Sequence, residues 1–398
     1  MIQAVKKWFV DLFKVWRREF YLVFHDAGVL LFFFALPTIY PVVYTIIYNP
    51  EILTDLPVVV VDDSRTASSR HLARMVDATQ AMQVYDYAPD MAAARTMMNE
   101  HNCFGVLHIP ASYDKKLGNG EQAVVNFYSD MSLLLRYRSF VAALTDIQLT
   151  LGTQIQTQKL SQSGMSTLSV AAAPIQSEAI MLGDPTQGFA SFIIPGILVL
   201  ILQQSLVLGV TMLAAGGKER RLKHGGTDPM AVDAPVGAQM LGKLMCYLCI
   251  YVPLVLYILH LVPLMFSLPQ VGSLGECCLL ILPMLIASIF LGFCLSWFVK
   301  ERESSLLVIV FTSVVFLFLS GLTWPRYAMN GFWTLVGNCV PATWGVEAFV
   351  RMNSNGSPLW EQSHPFLMLW LLVAVYGVLA YCLQRYCQGR RKLLPLQR

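Results

Sequence analysis

Residues 192–223 read FIIPGILVLILQQSLVLGVTMLAAGGKERRLK, an apolar run that carries two glutamines and closes on a knot of charge. The run belongs to a segment, 188–214, long enough at about 1.5 Å per helical residue to cross a hydrocarbon core about 30 Å thick. It therefore reads as a membrane-spanning helix. The knot that follows, GGKERRLKHGGTDP at 216–229, places Lys218, Glu219, Arg220, Arg221 and Lys223 close together in a chain that is only 13% charged. Basic residues crowded beside an apolar run mark the side of the membrane on which a loop is retained.

Five further runs of sufficient length lie near 28–48, 240–268, 274–299, 304–323 and 366–386, which makes six spans. The 398 residues are 56% hydrophobic with a mean hydropathy of +0.55, above the apolar share of a soluble domain. A net charge of +3 is too small and too dispersed to suggest nucleic acid. The segments assigned to the inside carry 17 basic residues against eight acidic ones, whereas residues 49–187 carry nine basic and 14 acidic. Both termini are accordingly expected to be cytoplasmic and 49–187 extracytoplasmic. Of the nine cysteines only Cys103 lies in the large polar segment, and most of the others sit in apolar runs, so no disulfide framework is legible.

Within residues 1–27, the first 24 are not expected to be a cleaved signal peptide, because Asp11, Lys14, Arg17, Arg18 and Glu19 interrupt any apolar centre. Ile2, Val5, Phe9, Leu12, Trp16 and Phe20 recur at helical spacing opposite Lys7, Asp11, Lys14 and Arg18, the pattern of an interfacial helix leading into the first span at 28–48. Pro37 and Pro41 are expected to kink that span. Residues 49–187 alternate strand and helix: LPVVVVDDS, MQVYDY, CFGVLHIP and AVVNFYSD as strands, RHLARMVDAT and MAAARTMMNEH as helices. A long helix from Leu133, apolar at Leu133, Tyr137, Phe140, Leu144, Ile147 and Leu151, is expected to act as a stalk. Joints marked by Pro and Gly, near Asn49-Pro50 and Gly183-Pro185, bound this inserted α/β domain.

Chemistry is sparse. GAQMLGKL at 237–244 matches G-x-x-x-x-G-K but ends in Leu where a P-loop needs a hydroxyl for magnesium, and it runs into a span, so the match is read as accidental. Cys246 and Cys249 lack a second pair and are read as small packing residues. His71, His101, Asp62 and Asp63 show no spacing for a nucleophile or a carboxylate pair and are read as solvated surface. Gln203, Gln204 and Ser205, midway along the second span, must face away from lipid, either to bond neighbouring helices or to line a substrate route. Residues 188–398 thus hold spans two to six with a charged loop, 215–239, and an apolar stretch, 324–365, too broken to span. That stretch reads as an outer re-entrant hairpin, with Trp324, Trp333 and Trp344 at interfacial depth.

An outside domain opening VVDDSRTASSRHLARMV and continuing to GVLHIPASYDKKLGNG and NFYSD, together with LSGLTWPRYAM followed by VPATWGVEAFVR, resembles the permease subunits of type-two ABC exporters with a large extracytoplasmic domain between spans one and two. The resemblance implies a bacterial inner (plasma) membrane protein that forms the substrate pathway of an ATP-driven exporter. It implies as partners two ATPase subunits, a second copy or related permease, membrane lipid, and room for a periplasmic adaptor and outer-membrane channel. No cofactor is expected in this chain, ATP and magnesium belonging to the partner. By the same resemblance Glu219, Arg220, Gly226, Thr227 and Asp228 form the coupling loop, with extra basic residues separating Glu219 from Gly-Thr. Trp324, Pro325, Pro341, Trp344 and Glu347 mark the hairpin. The knot otherwise serves as a topology anchor. The competing classes are a docking scaffold of an envelope machine and a membrane sensor, although a sensor needs an inside output domain and no inside segment exceeds about 30 residues.

Overall fold

Six helices long and apolar enough to cross a bilayer are present in the computed structural model, which describes residues 2–48, 53–119, 121–130, 133–162 and 189–393. The chain divides into two compact units, residues 1–51 with 181–398, and residues 52–180. The two joints expected near Asn49-Pro50 and Gly183-Pro185 lie outside the described residues.

The first unit opens with α1, Ile2–Phe24. The six spans are α2, Ala27–Tyr48; α7, whose helix covers Phe189–Lys223; α8, Val236–Met265; α9, Leu274–Leu295; α10, Arg302–Leu319; and α13, Ser363–Leu393. Between α10 and α13 lie two shorter helices, α11 at Gly331–Asn338 and α12 at Pro341–Asn355. The runs legible in the sequence match these spans closely, with one difference at the knot. The helix of α7 does not stop at 214 but continues through Gly216 and Gly217 to Lys223. The first part of the stretch expected as a loop, 215–239, is therefore the end of the span itself, because straight-chain Lys, Glu and Arg favour helix and offset the two glycines.

Helices in lipid associate by close packing rather than by expulsion of water, so small residues decide where they touch. A Cβ built on Gly209 of α7 would lie 1.8 Å from the ring of Phe33. That ring is fully buried and meets Tyr247 and Tyr251 of α8 edge-on at 5.6 and 5.2 Å. Gly292 of α9 faces Val210, and Gly345 of α12 faces Met284 and Val199, in the same way. Two proline-bearing spans each contain a wide π-type turn, Leu31–Ala35 in α2 and Tyr257–Leu261 in α8. Pro37 and Pro263 each follow such a turn by two residues, and the Tyr257 hydroxyl donates to the Thr38 carbonyl at 3.0 Å. Polar residues thereby occupy backbone acceptors in the kinked region.

The helix α1 departs from its sequence reading on one face. Leu12, Val15 and Leu22 are buried as an apolar face should be, but so are Asp11 and Glu19. Leu12 and Val15 pack on Ala234 and Ala238, and Gly242 of α8 comes so close that a Cβ there would lie 2.8 Å from the Leu12 carbonyl. This contact accounts for the second glycine of GAQMLGKL: the whole stretch is helical within α8, its backbone engaged in the helix and not arranged as a phosphate-cradling loop. The aromatic residues form a separate stripe. Phe13, Trp16 and Phe20 stack in sequence with centroids 5.3 and 5.4 Å apart, and Phe9, Phe13 and Phe24 are exposed.

The second unit is a mixed sheet in the order β2-β1-β3-β4. Its strands are β1 at Leu56–Asp62, β2 at Met82–Tyr87, β3 at Gly105–Ile109 and β4 at Asn126–Ser129. β1 runs parallel to β2 and β3, and β4 is antiparallel to β3. The four valines of β1 are all buried, Val58 and Val60 on one face and Val59 and Val61 on the other, as a central strand covered on both sides requires. The helices are α3, Ala67–Asp77; α4, Met91–Asn99; α5, Tyr113–Asn119; and α6, Leu134–Gln162. α5 is an element the sequence reading missed, and β4 is shorter than AVVNFYSD suggested. Nor is α6 simply a stalk: Phe140, Ala143 and Ile147 enter the core beside Val58 and Leu107, while Leu133 and Tyr137 are exposed. Asp62 organises the loop after β1, accepting from the Ser64 and Arg65 amides and, at 2.6 Å, from the Ser69 hydroxyl. Asp63 meets His108 at 2.9 Å, whereas burial pushes the Cys103 thiol up.

The Gly209–Phe33 contact yields a reciprocal test. Gly209→Ala should lower the thermal midpoint of the purified protein by an amount equivalent to about 1–3 kcal/mol, the usual cost of overpacking. Phe33→Leu in that background should recover most of the loss. A silent Gly209→Ala would mean that α2 and α7 do not cross where the structure places them.

Candidate functional site

Three carboxylates near the charged end of the first unit pair with cations, two of them, Glu19 and Asp228, withdrawn from water and the third, Glu219, partly exposed. Glu19 of α1 is 1% exposed at its side chain. It accepts from the Tyr247 hydroxyl at 2.5 Å and lies 3.4 Å from Lys243 Nζ, both on α8. Burial raises the carboxyl pKa, but Lys243, Arg18 and the tyrosine hydrogen bond outweigh it, so the group stays below the usual carboxylate range. Lys243, the lysine of the accidental P-loop match, is thus the counter-ion of a buried glutamate.

Asp228, in the turn after α7, is also 1% exposed at its side chain. Its carboxylate accepts from Arg18 at 3.0 Å, from Arg220 Nε at 3.3 Å and from the Met230 amide at 3.0 Å. Burial raises its pKa; the amide bond and the two arginines more than reverse this and hold it low. Arg18 therefore joins the tail of α7 to α1. Gly225 and Gly226, with φ of +64° and +99°, make the reversal that brings Asp228 back, the Gly226 amide donating to the Arg221 carbonyl at 2.8 Å. A side chain at these φ values would be strained, so Gly225 and Gly226 are turn residues.

Glu219 accepts from the Arg302 amide at 2.8 Å and lies 3.5 Å from the Arg302 guanidinium, which in turn reaches Asp26 at 2.9 Å. Arg302 starts α10 and Asp26 caps α2, so one arginine holds the ends of three spans. Gly216 leaves the space for it: a Cβ there would lie 2.6 Å from the guanidinium. Glu219 consequently faces the bundle and not outward, because its two oxygens are taken by Arg302. Lys218 donates to the carbonyls of Ser296 and Val299 at 2.5 and 2.6 Å, closing the C-terminal end of α9. Of the residues singled out from the sequence, Glu219, Arg220 and Asp228 join this network and Gly226 shapes it. Thr227 is exposed and bonds the His224 carbonyl. Beyond the network Leu222 is 77% exposed and Met230 39%. Arg18, Glu19, Asp26 and Arg302 escaped the sequence reading; their signal was acids on the buried spacing of α1 and at span ends, where charge counting registers only sign.

Midway along α7, Gln203 is fully buried, its carbonyl oxygen accepting from the Ala342 amide at the first turn of α12 and from the Ser288 hydroxyl at 3.5 Å. Pro341 at the start of α12 leaves an amide donor of that first turn for Gln203 to satisfy. Ser205 accepts from the Tyr251 hydroxyl at 3.0 Å. Gln204 is partly exposed, with a buried amide nitrogen lacking a partner among the described residues. In the α11 and α12 region, Glu347 bridges Arg326 and Arg351, the latter at 2.9 Å, and Pro325 precedes the turn that carries Arg326. Trp324 and Trp333 are exposed, but Trp344 is buried. Its indole donates to the Asn338 carbonyl at 3.0 Å and its ring lies under the Arg326 guanidinium at 4.2 Å, a cation–π contact that fixes it inside the protein.

The model of a family described as ABC-2 family transporter protein matches residues 27–382, nearly the whole chain. None of the curated proteins compared with the chain matches it.

Because the Glu19 pKa is depressed, the stabilisation it provides is complete above the ordinary carboxylate range and is lost as pH falls through its lower folded value. Glu19→Gln should cost about 3–5 kcal/mol at neutral pH, as removal of one partner from a buried pair does. The gap from the parent protein should shrink on acidification, read as thermal midpoints across pH. A gap independent of pH would show that the carboxylate charge is not what holds α1.

Proposed function

The chain belongs to the ABC-2 family of transporter proteins, and from this premise we propose that it is the membrane subunit of an ATP-driven exporter, coupled to separate ATPase subunits through the end of α7. The observation that carries the reading is the single helix of α7. One unbroken rod, 35 residues long, holds Gln203 against α9 and α12 and, at its far end, Glu219 and Arg220 against α10, α2 and α1. A push on the exposed tip of that rod is passed to α10, α2 and α1 through charge-assisted contacts and to α9 and α12 through the hydrogen bonds of Gln203.

The tip suits a protein partner. The side chains of Leu222, Thr227 and Met230 are exposed there and make no contact with the network's carboxylates, the Met230 amide alone serving Asp228. Leu222 and Met230 supply apolar contact, while Glu219 and Asp228 act behind them as transmitters. The ATPase subunits, two per assembly with a second copy of this chain or a related permease, bring ATP and magnesium. α1 lies along the inner membrane surface with its aromatic stripe in lipid. α11 and α12 form the outer re-entrant hairpin. Gln204, partly exposed beside the buried Gln203 and Ser205, is the member of that trio best suited to face a substrate route. The location is the bacterial inner membrane, with both termini cytoplasmic and residues 49–187 extracytoplasmic.

Charge exchange tests the coupling. Glu219→Arg should leave the complex assembled but cut substrate-stimulated ATPase activity and transport at least ten-fold, and Glu219→Arg with Arg302→Glu should restore much of both. Full activity in the single variant would remove Glu219 from transmission, while complete assembly without any stimulated ATPase in the unmodified protein would favour a scaffold.

Orientation has its own probe. Gly118 has open space around it, so in a variant free of other cysteines Gly118→Cys should react with a membrane-impermeant thiol reagent in intact, outer-permeabilised cells. Labelling only after lysis would reverse the assigned topology.

A further inference from the structure

The carboxyl ends of β1 and β2 in the inserted unit border a cavity of about 420 Å³, lined by Asp62, Arg65, Arg70, Tyr87, Ala88 and Pro89. Open α/β sheets with helices on both faces, as here, take their ligands outside the carboxyl ends of their strands. The cavity opens widely to solvent, so what distinguishes it is not exclusion of water but three local choices that each run against stability. Arg65 has a φ of 53°, a conformation disfavoured for a residue with a Cβ. Arg70 stands in the first turn of α3, which holds no acid, at the helix end where the macrodipole disfavours a cation. The carboxylate on the same wall, Asp62, is engaged elsewhere. Its Oδ1 accepts from the Ser64 and Arg65 amides at 3.0 and 2.9 Å, and its Oδ2 from the Ser69 hydroxyl at 2.6 Å. The Arg70 guanidinium donates to the Arg65 carbonyl at 3.0 Å, and neither arginine pairs with a carboxylate among the described residues. Two guanidiniums thus line one recess without a counter-ion of their own.

We propose that this cavity binds a small carboxylic acid with an aromatic or alicyclic body. Charge selects the head group. Two guanidiniums against one carboxylate leave an excess of one, equal to the charge of a carboxylate and short of the charge of about −1.5 to −2 on a phosphate monoester at pH 7. The planar fork of arginine matches carboxylate oxygens two at a time, and Arg70, engaged by a carbonyl through one nitrogen, keeps the others for a ligand. The rest of the wall selects the body: Tyr87 is 56% exposed and with Ala88 and Pro89 offers ring and aliphatic surface without further charge. The volume suits a small molecule. Helix-end amides beside the strand ends are already capped, that of Ser69 by Thr66 and that of Ala93 by Asp90, so the arginines and not a helix terminus hold the head group. A bound carboxylate supplies the negative charge that Arg70 lacks at its end of α3.

Saturation-transfer NMR of the full chain in lipid nanodiscs, titrated with benzoate, benzyl alcohol, acetate or phenyl phosphate, tests this without any ATPase subunit. Its failure would therefore leave the coupling reading standing. The expected result is saturable benzoate binding, about ten-fold tighter than that of benzyl alcohol, which lacks the charge, and of acetate, which lacks the ring. Arg70→Gln should weaken benzoate about ten-fold, the scale of a hydrogen bond to a charged group, and Tyr87→Ala about three-fold, the scale of an aromatic contact. Arg65→Gly removes a guanidinium and relieves the positive φ, so it should weaken benzoate while keeping or raising the thermal midpoint. Arg138→Gln, at an exposed position of α6 outside the cavity, should change binding less than two-fold. Absence of saturable benzoate binding, benzyl alcohol bound as tightly as benzoate, or equal weakening by Arg138→Gln and Arg70→Gln would overturn the proposal. Acetate equal to benzoate would overturn the ring, and phenyl phosphate bound more tightly than benzoate would overturn the carboxylate as head group.

Discussion

A carboxylate withdrawn from water persists only where cations surround it, and the charged end of this membrane bundle is built on that constraint. Glu19 cannot leave the side of Lys243 and Tyr247 without exposing three polar groups to unpaired burial. Its position fixes where α1 lies on α8. Asp228 imposes the same condition on the turn after α7, and Asp26 with Glu219 on the starts of α2 and α10. Each acid is shared between elements distant in sequence, so the ends of the helices are held as a set.

Close packing completes what charge begins. Along α7, Gly209 admits Phe33 and Gly216 admits Arg302, so the same helix is gripped by an aromatic ring in its apolar part and by a guanidinium at its end. Gln203 adds a third fastening, to the first turn of α12. A helix held at several levels moves as a body, and a force applied at Leu222 or Met230 has no flexible joint within Phe189–Lys223 in which to dissipate. The exposed apolar faces of α2, α10 and α13 need no such fastening, since lipid solvates them as well as protein does.

The inserted α/β unit follows different rules because its solvent differs. Its central strand buries valines on both faces, its edge strand β2 alternates toward exposure, and its helices begin at side-chain caps, Thr66 with Ser69 and Asp90. Within 52–180 the apolar pattern specified layer and face, as water makes it do. In the spans, where nearly every residue is apolar, pattern specified length but not face.

Sequence alone determined the number and place of the spans, the expected sidedness, the α/β character of the insertion and the family, because each depends on long runs or averaged composition that no single contact can overturn. It also marked Glu219, Asp228 and Gln203 as residues that need partners. Only the tertiary structure decided who those partners are. That Glu219 turns inward to Arg302, that Lys243 answers a buried Glu19 and not a phosphate, and that Trp344 lies under Arg326 are pairings between residues 18 to 224 positions apart. Such pairings leave no local trace: a charge beside a span looks the same in sequence whether it faces solvent, orients the chain or closes a buried ion pair. The difference is set by which helices approach within a few ångströms, and that is settled by the glycines and side-chain shapes along their crossings.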